Sequence, residues 1–401
     1  MRSMLRCLAL ISLAALLASC GDSKKPTGPG TATPLATTVE NIRARHGLPA
    51  LGIALIDRES IRVTVSGVRR RGFPQAVQAG DLFHLGSVVK PMTATMIGRL
   101  VEAGTLSWNR TLLQAFPEFA DSMAAAYRTV KLGQVLQHRG GFPAFETVED
   151  FAALPTFPGN DVQQRHAFVR WLVTRPPAVA PGNYLYSNAG YGVAAAIAEA
   201  ATGSSWEELL TSRLLDPLGT TATYGWPTDH DANQPWGHVV QGDSLVPFDG
   251  SLGHVPTVAA PGGDLSQSLD GIGRFARLHL RALTGTPQLL ADSTFGLLHT
   301  PPAGNYAMGW QLLTLQGRQV YAHEGSAGTF SAFVLLDPSR SGAYVLVTNA
   351  YSDEVEPAFV ELLTAVAPRF EALPAGTAVR ARFGRAALVH EPHAGSIHAR
   401  R

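Results

Sequence analysis

Three short groups of residues carry side chains able to do chemistry together: Ser87-Val88-Val89-Lys90, Tyr186-Ser187-Asn188 and His323-Glu324-Gly325-Ser326. The first is the sharpest, because lysine occurs only as Lys24, Lys25, Lys90 and Lys131. Arginine supplies the other cationic side chains and keeps its proton in a protein, whereas a desolvated lysine falls toward neutrality and can act as a base. Ser87 follows Gly86 and opens a helical pattern, with Pro91 in the first turn where a backbone N–H is dispensable. Free N–H groups and the positive dipole end stabilise oxyanion charge at such a position, and the i,i+3 spacing sets Lys90 on the serine's face. A neutral Lys90 is then placed to take the hydroxyl proton. Taken alone, the same spacing also fits a surface pair.

The second group is extended, so Tyr186 and Asn188, two apart, point into one pocket. The phenol would relay protons and the amide would orient a substrate carbonyl. The competing reading is that Ser187 or Asn188 caps the following helix and Tyr186 packs in the core. The third group precedes Ala327-Gly328, where small residues let a substrate approach the backbone, and the Ser326 N–H is a second candidate oxyanion donor. His323 there also fits a polar residue at a strand end.

These groups need elements to hold them. Runs 51–57 and 61–65 predict an N-terminal hairpin, and runs 320–323, 330–337 and 343–349 predict three strands near the other end. Helical patterns fill the interval at 92–102, 190–201, 206–215 and 271–283, and 353–366 predicts a helix over one sheet face. Strands at both ends with helices between them predict an α+β domain, in which an antiparallel sheet of N- and C-terminal strands is flanked by helices and a mostly helical subdomain.

In this order and at these separations, the three groups resemble the serine β-lactamase and penicillin-binding superfamily, in the branch of class C β-lactamases, D-alanyl-D-alanine carboxypeptidases and related esterases. The resemblance runs from about residue 38 to 367 and includes Val135 to Gly141, Pro181-Gly182, Leu214 to Gly219, Pro261-Gly-Gly263 and Met308-Gly-Trp310 as fold positions. It implies a β-lactamase/transpeptidase-like fold with Ser87 as the nucleophile of an acyl-enzyme and Lys90 assisting its deprotonation. Tyr186 would be base, acid or both, and Asn188 would orient substrate. His323 and Gly325 would line the substrate site, and the Ser87 and Ser326 N–H groups would form the oxyanion hole. Lys90 and Tyr186 remain alternative bases. No cofactor or metal is implied.

One departure matters. β-Lactamases and DD-peptidases typically have Lys-Thr-Gly at the third motif, where cation and hydroxyl hold a substrate carboxylate, but this chain has His323-Glu324-Gly325. A neutral histidine and a glutamate facing the pocket would disfavour an anionic substrate, so esters or neutral amides are expected to be handled better than penicillins. Strand alternation would relieve the Glu324 part of that argument if it turns the side chain away. Rival chemistries are poorly supported. An α/β-hydrolase wants Gly-x-Ser-x-Gly, but Glu324-Gly-Ser-Ala-Gly328 starts with glutamate, and no His-Glu-x-x-His occurs. The serious alternative is a penicillin- or peptidoglycan-binding sensor with little turnover.

The 401 residues are 45% hydrophobic and 16% charged, enough apolar material for a sizeable core. The net charge of +1 gives no field for nucleic acid, and small ester, amide or peptide substrates fit better. Residues 1–19 read as an export signal, with Arg2 and Arg6 ahead of an apolar run too short to span a bilayer. Leu17-Ala18-Ser19-Cys20 resembles a bacterial lipobox. Cleavage there would leave Cys20 lipidated, remove Cys7, and take the net charge from +1 to −1 through loss of two arginines. Residues 20–34 then read as a flexible tether, 35–370 as the hydrolase domain and 371–401 as a tail, with 377–382 as a possible edge strand. The expected location is the cell envelope, anchored by lipid outside the cytoplasm.

Overall fold

The computed structural model describes residues 34–315 and 317–367. The proposed signal segment, the tether up to Thr33, Cys20 and the tail, with its candidate edge strand, lie outside the described residues. No helix among the described residues is long and apolar enough to cross a membrane.

Six strands form the main sheet: β1 (Ala50–Asp57), β2 (Ile61–Gly67), β3 (Gln311–Leu315), β4 (Arg318–Ser326), β5 (Ser331–Asp337) and β6 (Gly342–Thr348), in the order β2-β1-β6-β5-β4-β3. Every pairing is antiparallel. The N-terminal hairpin and the C-terminal strands join where β1 pairs with β6, with Ile53 opposite Leu346 and Leu55 opposite Tyr344. This closure is the predicted one. The sequence reading omitted β3, whose residues are only partly buried, as suits an edge strand with a half-apolar pattern.

Both faces of β1 are buried, because the sheet is the middle of three layers. Leu51, Ile53 and Leu55 share one core cluster with helix α1 (Leu35–Arg45) and the last helix, 355–366. Ala50, Ala54 and Ile56 face the other cluster, which includes the helical subdomain. On that side Gly52 leaves room for the 269–283 helix: a Cβ there would lie 2.7 Å from Leu269 Cδ1. The last helix buries Val355, Ala358, Phe359, Leu362 and Val366, the i,i+3/i+4 stripe of an amphipathic element. Its sequence prediction holds within two residues at the N-terminus. Helix α1 was not predicted. Its apolar residues buried in the core are only Val39 and Ile42.

Two helices of the subdomain matter for the site. Helix α2 (Val89–Glu102) is almost wholly buried. Helix α3 (Asn188–Thr202) is built of small residues that let neighbours approach closely. At Gly192 a Cβ would stand 2.0 Å from the Val258 carbonyl oxygen. Ser187 caps α3 by accepting the Gly190 N–H at 3.0 Å, and Gly203 ends it at φ +74°. The predicted 206–215 helix is α-helical only over Trp206–Leu210 and continues as a wider π-type turn over Thr211–Leu215.

Candidate active site

Ser87 lies in a tight turn, Gly86–Val88, that runs straight into α2, and Lys90 is in the first turn of that helix. The turn packs against the end of β4 with almost no space between backbones. Gly86 has φ +50°, and a Cβ on it would meet the Ser326 nitrogen at 2.3 Å. From the other side, a Cβ on Gly325 would lie 2.0 Å from the Leu85 oxygen and 2.7 Å from the Ser87 nitrogen. Two glycines thus bring the Ser87 and Ser326 amides to one contact. The Ser326 hydroxyl is occupied elsewhere, donating to the Phe330 carbonyl at 2.6 Å and accepting the Gly328 N–H at 2.9 Å. It is the Ser326 backbone that packs against the Gly86–Ser87 turn.

Lys90 is fully buried. Its Nζ lies 2.8 Å from Ser87 Oγ, 2.7 Å from Asn188 Oδ1 and 2.7 Å from the Gly262 carbonyl oxygen. The last two partners can only accept. A neutral amine has two N–H bonds and one lone pair, so those two carbonyls consume both N–H groups and turn the lone pair toward the Ser87 hydroxyl. Burial pulls the Lys90 ammonium down to about 7, against an opposing pull from the Glu146 carboxylate. A base poised near neutrality and aimed at one hydroxyl is the consequence.

Tyr186 behaves oppositely. Burial pushes its phenol well above its usual range, and a hydrogen bond with Ser87 offsets only part of that rise. The phenol therefore rests protonated. The Lys90 Nζ stands 4.9 Å from its ring centre, and the His138 ring is 4.3 Å away centre to centre. Ser187, between the two site residues, donates its hydroxyl to the Pro143 carbonyl at 2.6 Å and its backbone N–H to His138 Nδ1 at 3.0 Å. Capping and site-building thus coexist in this segment: Ser187 is the cap, and Asn188, first residue of α3, reaches the pocket. The Asn188 amide is largely engaged within the protein, since Nδ2 also donates to the Phe145 carbonyl at 2.6 Å.

The third motif splits between the two faces of β4. His323 is opposite Val334 and Gly325 opposite Ala332, on the side of the helical subdomain, while Glu324 is opposite Phe333, whose side chain belongs to the other core cluster. Glu324 therefore does not face the pocket, and its part of the argument against anionic substrates falls away. His323 does. Its Nδ1 donates to the Glu324 carbonyl at 2.6 Å, so Nε2 accepts the Tyr306 hydroxyl at 3.1 Å. Burial and the nearby Lys90 hold this imidazole down to about 3. The third motif therefore presents a neutral ring to the site, not a cation.

Four contributors were missed as site residues. The Gly262 carbonyl and His138 belong to stretches read as fold positions, and Tyr306 and Glu146 carry no local signal. All of them come from chain segments distant from Ser87.

A profile of the beta-lactamase family matches residues 35–367, and the chain belongs to that family. It is 29% identical over 326 residues to penicillin-binding protein 4 of Amycolatopsis lactamdurans, covering 77% of this chain and 82% of that protein. Two solved structures share the fold. One is the octameric penicillin-binding protein homologue of Pyrococcus abyssi, with a TM-score of 0.67 and 19% identity over 84% of this chain and 76% of that one. The other is the D-alanine carboxypeptidase AmpC of Burkholderia cenocepacia, with a TM-score of 0.65 and 19% identity over 82% and 97%.

Proposed function

We propose that this protein is a serine hydrolase that forms an acyl-enzyme on Ser87 and acts on esters or neutral amides, D-amino-acid peptides among them. The observation that carries the reading is the buried Lys90 amine, whose two N–H groups are consumed by carbonyls and whose remaining position meets Ser87 Oγ at 2.8 Å. Neutral Lys90 takes the Ser87 proton as Oγ attacks the substrate carbonyl, and the resulting oxyanion rests on the Ser87 and Ser326 N–H groups. Tyr186, protonated at rest, gives its proton to the leaving alkoxide or amine, and the Lys90 ammonium restores it. The same pair, now neutral amine and phenol, activates water for deacylation. Asn188 acts mainly by orienting Lys90.

Substrate charge follows from His323. A neutral imidazole offers no countercharge to a carboxylate, which favours esters and neutral amides over penicillins. The name of the Amycolatopsis relative makes penicillin the necessary comparison ligand. We place the protein in the cell envelope, held by lipid on Cys20.

The test is intact mass over time, for wild type and Ser87→Ala, with an activated short-chain ester and a penicillin. A transient acyl adduct on wild type alone, with the ester consumed, is the expected result. A lasting penicilloyl adduct with no ester turnover would make the protein a penicillin-binding sensor instead. No adduct of either kind would refute the acyl-enzyme.

A further inference from the structure

Two polar residues beside the nucleophile turn have no part in the chemistry above, His84 and Asp264. His84 ends the short strand Leu82–His84, which pairs antiparallel with the strand Leu265–Ser268. The nucleophile turn follows the first strand and Asp264 precedes the second, so both lie at the same end of this ladder. The Leu85 N–H, donating to the Leu265 carbonyl at 2.8 Å, extends the pairing to the edge of the turn.

His84 is fully buried, its ring 4.4 Å from that of Trp226 and 6.4 Å from that of Phe330, centre to centre. Both ring nitrogens are in use. Nδ1 accepts the Gly86 N–H at 3.3 Å, and Nε2 lies 3.0 Å from Asp264 Oδ1. An imidazole nitrogen that accepts a backbone N–H carries no proton, so the ring proton is on Nε2 and is donated to the carboxylate. Asp264 thereby selects the tautomer that Gly86 needs. With the proton on Nδ1, two N–H groups would face each other.

This bridge joins the two backbone turns that set up proton transfer. On one side Gly86 stands at φ +50° and leads directly into Ser87, whose nitrogen lies against Gly325. On the other, Asp264 closes the turn whose Gly262 carbonyl accepts from Lys90 at 2.7 Å, with its own N–H donated to the Ala260 carbonyl at 2.9 Å. The turns touch, since a Cβ on Gly263 would lie 3.4 Å from the Gly86 carbonyl carbon. Lys90 must meet Ser87 Oγ while bonded to Gly262, so the separation of the turns sets the distance over which the proton moves.

We propose that His84 and Asp264 are a positioning pair for acylation: the carboxylate fixes the imidazole tautomer, and the imidazole holds the Gly86 peptide so that Ser87 stays in register with Lys90. The pair acts through the backbone and not on the substrate. Its catalytic consequence rests on Ser87 being the nucleophile and Lys90 its base, whereas the tautomer is measured without turnover.

The first measurement is that tautomer, from the 15N shifts of the His84 ring in full-length protein, assigned among the thirteen histidines by its loss in His84→Phe. Wild type should show a bare Nδ1 and a protonated Nε2, and Asp264→Ala should move the proton toward Nδ1. A wild-type ring protonated at Nδ1, or a tautomer indifferent to Asp264→Ala, overturns the proposal. The second measurement separates binding from chemistry, through pre-steady-state kinetics with an activated short-chain p-nitrophenyl ester. His84→Phe, which keeps a ring against Trp226 and Phe330, and Asp264→Ala should each lower the acylation rate constant about tenfold to a hundredfold, the cost of misplacing a reacting group by about 1 Å, while Kd stays within about threefold. Because both residues act along one path, the double variant should be no slower than the slower single variant. Unchanged acylation in both single variants, a loss confined to Kd, or losses that multiply in the double variant would overturn the pair. If His84→Phe does not fold, His84→Gln serves for assignment and Asp264→Ala, at a partly exposed position, carries the kinetics. Wild type that is not acylated at all refutes the hydrolase reading instead, so turnover by wild type tells the two failures apart.

Discussion

If Lys90 is the base, acylation must follow its neutral fraction. An ordinary lysine at 10.5 would be neutral in roughly one molecule in 3000 at pH 7, whereas at about 7 roughly half the molecules carry the free amine. The buried position thus supplies about three orders of magnitude in usable base. For a neutral ester, kcat/KM should fall about tenfold per pH unit below about pH 7 and level off above pH 8. Lys90→Arg keeps a cation that cannot deprotonate and should lower kcat/KM by about a thousandfold across the range. Four lysines in the chain make direct titration practical, since lysine labelled with 13C at Cε gives four signals and single substitutions assign them. The Lys90 signal should titrate near 7. A Lys90 signal titrating near 10.5, an activity profile with no acid limb, or Lys90→Arg retaining a tenth of wild-type activity would each refute the assignment. The sign for stability is also set. With its native pKa lowered, Lys90 penalises folding fully below about pH 7, and the penalty fades as pH rises toward 10.5.

Other outcomes follow from the same structure. Gly325→Ala places a methyl 2.0 Å from the Leu85 oxygen, so it should destabilise the protein by roughly 1–3 kcal/mol in denaturant melts and abolish the acyl adduct; an unaltered acylation rate would contradict the close contact. His238 and His299 are held down to about 4 and His323 to about 3, all by burial, so the unfolded chain binds more protons below about pH 6.5. Stability present above that pH should be lost on acidification at roughly 1.4 kcal/mol per pH unit for each, seen as a falling Tm, and a Tm equal at pH 7.5 and 5 would count against neutral buried histidines. Cys20→Ala should move the protein out of the membrane fraction, and an unchanged distribution would remove the case for a lipid anchor.

Local chemistry made part of this site legible in the sequence. The Ser87–Lys90 spacing is a property of one helical turn, the Ser187 cap is a property of the four residues from Ser187 to Gly190, and the β5–β6 hairpin follows from two apolar runs and a Pro338 to Gly342 turn. The third motif shows where such reading stops. The motif left the direction of Glu324 open, and only its pairing with Phe333 assigns it to the face opposite the pocket, because a strand's facing is decided by register with its neighbour. The Lys90 pKa is likewise not written beside Lys90. Its acceptors Asn188 and Gly262 are 98 and 172 residues further along the chain, and the desolvation that lowers it comes from the whole subdomain closing over α2. Tyr306, hydrogen-bonded to His323, belongs to the site for the same reason. Residue types and short spacings determined which groups were able to react, while their protonation, direction and partners were decided by tertiary packing, since burial and long-range hydrogen bonds exist only once distant segments meet.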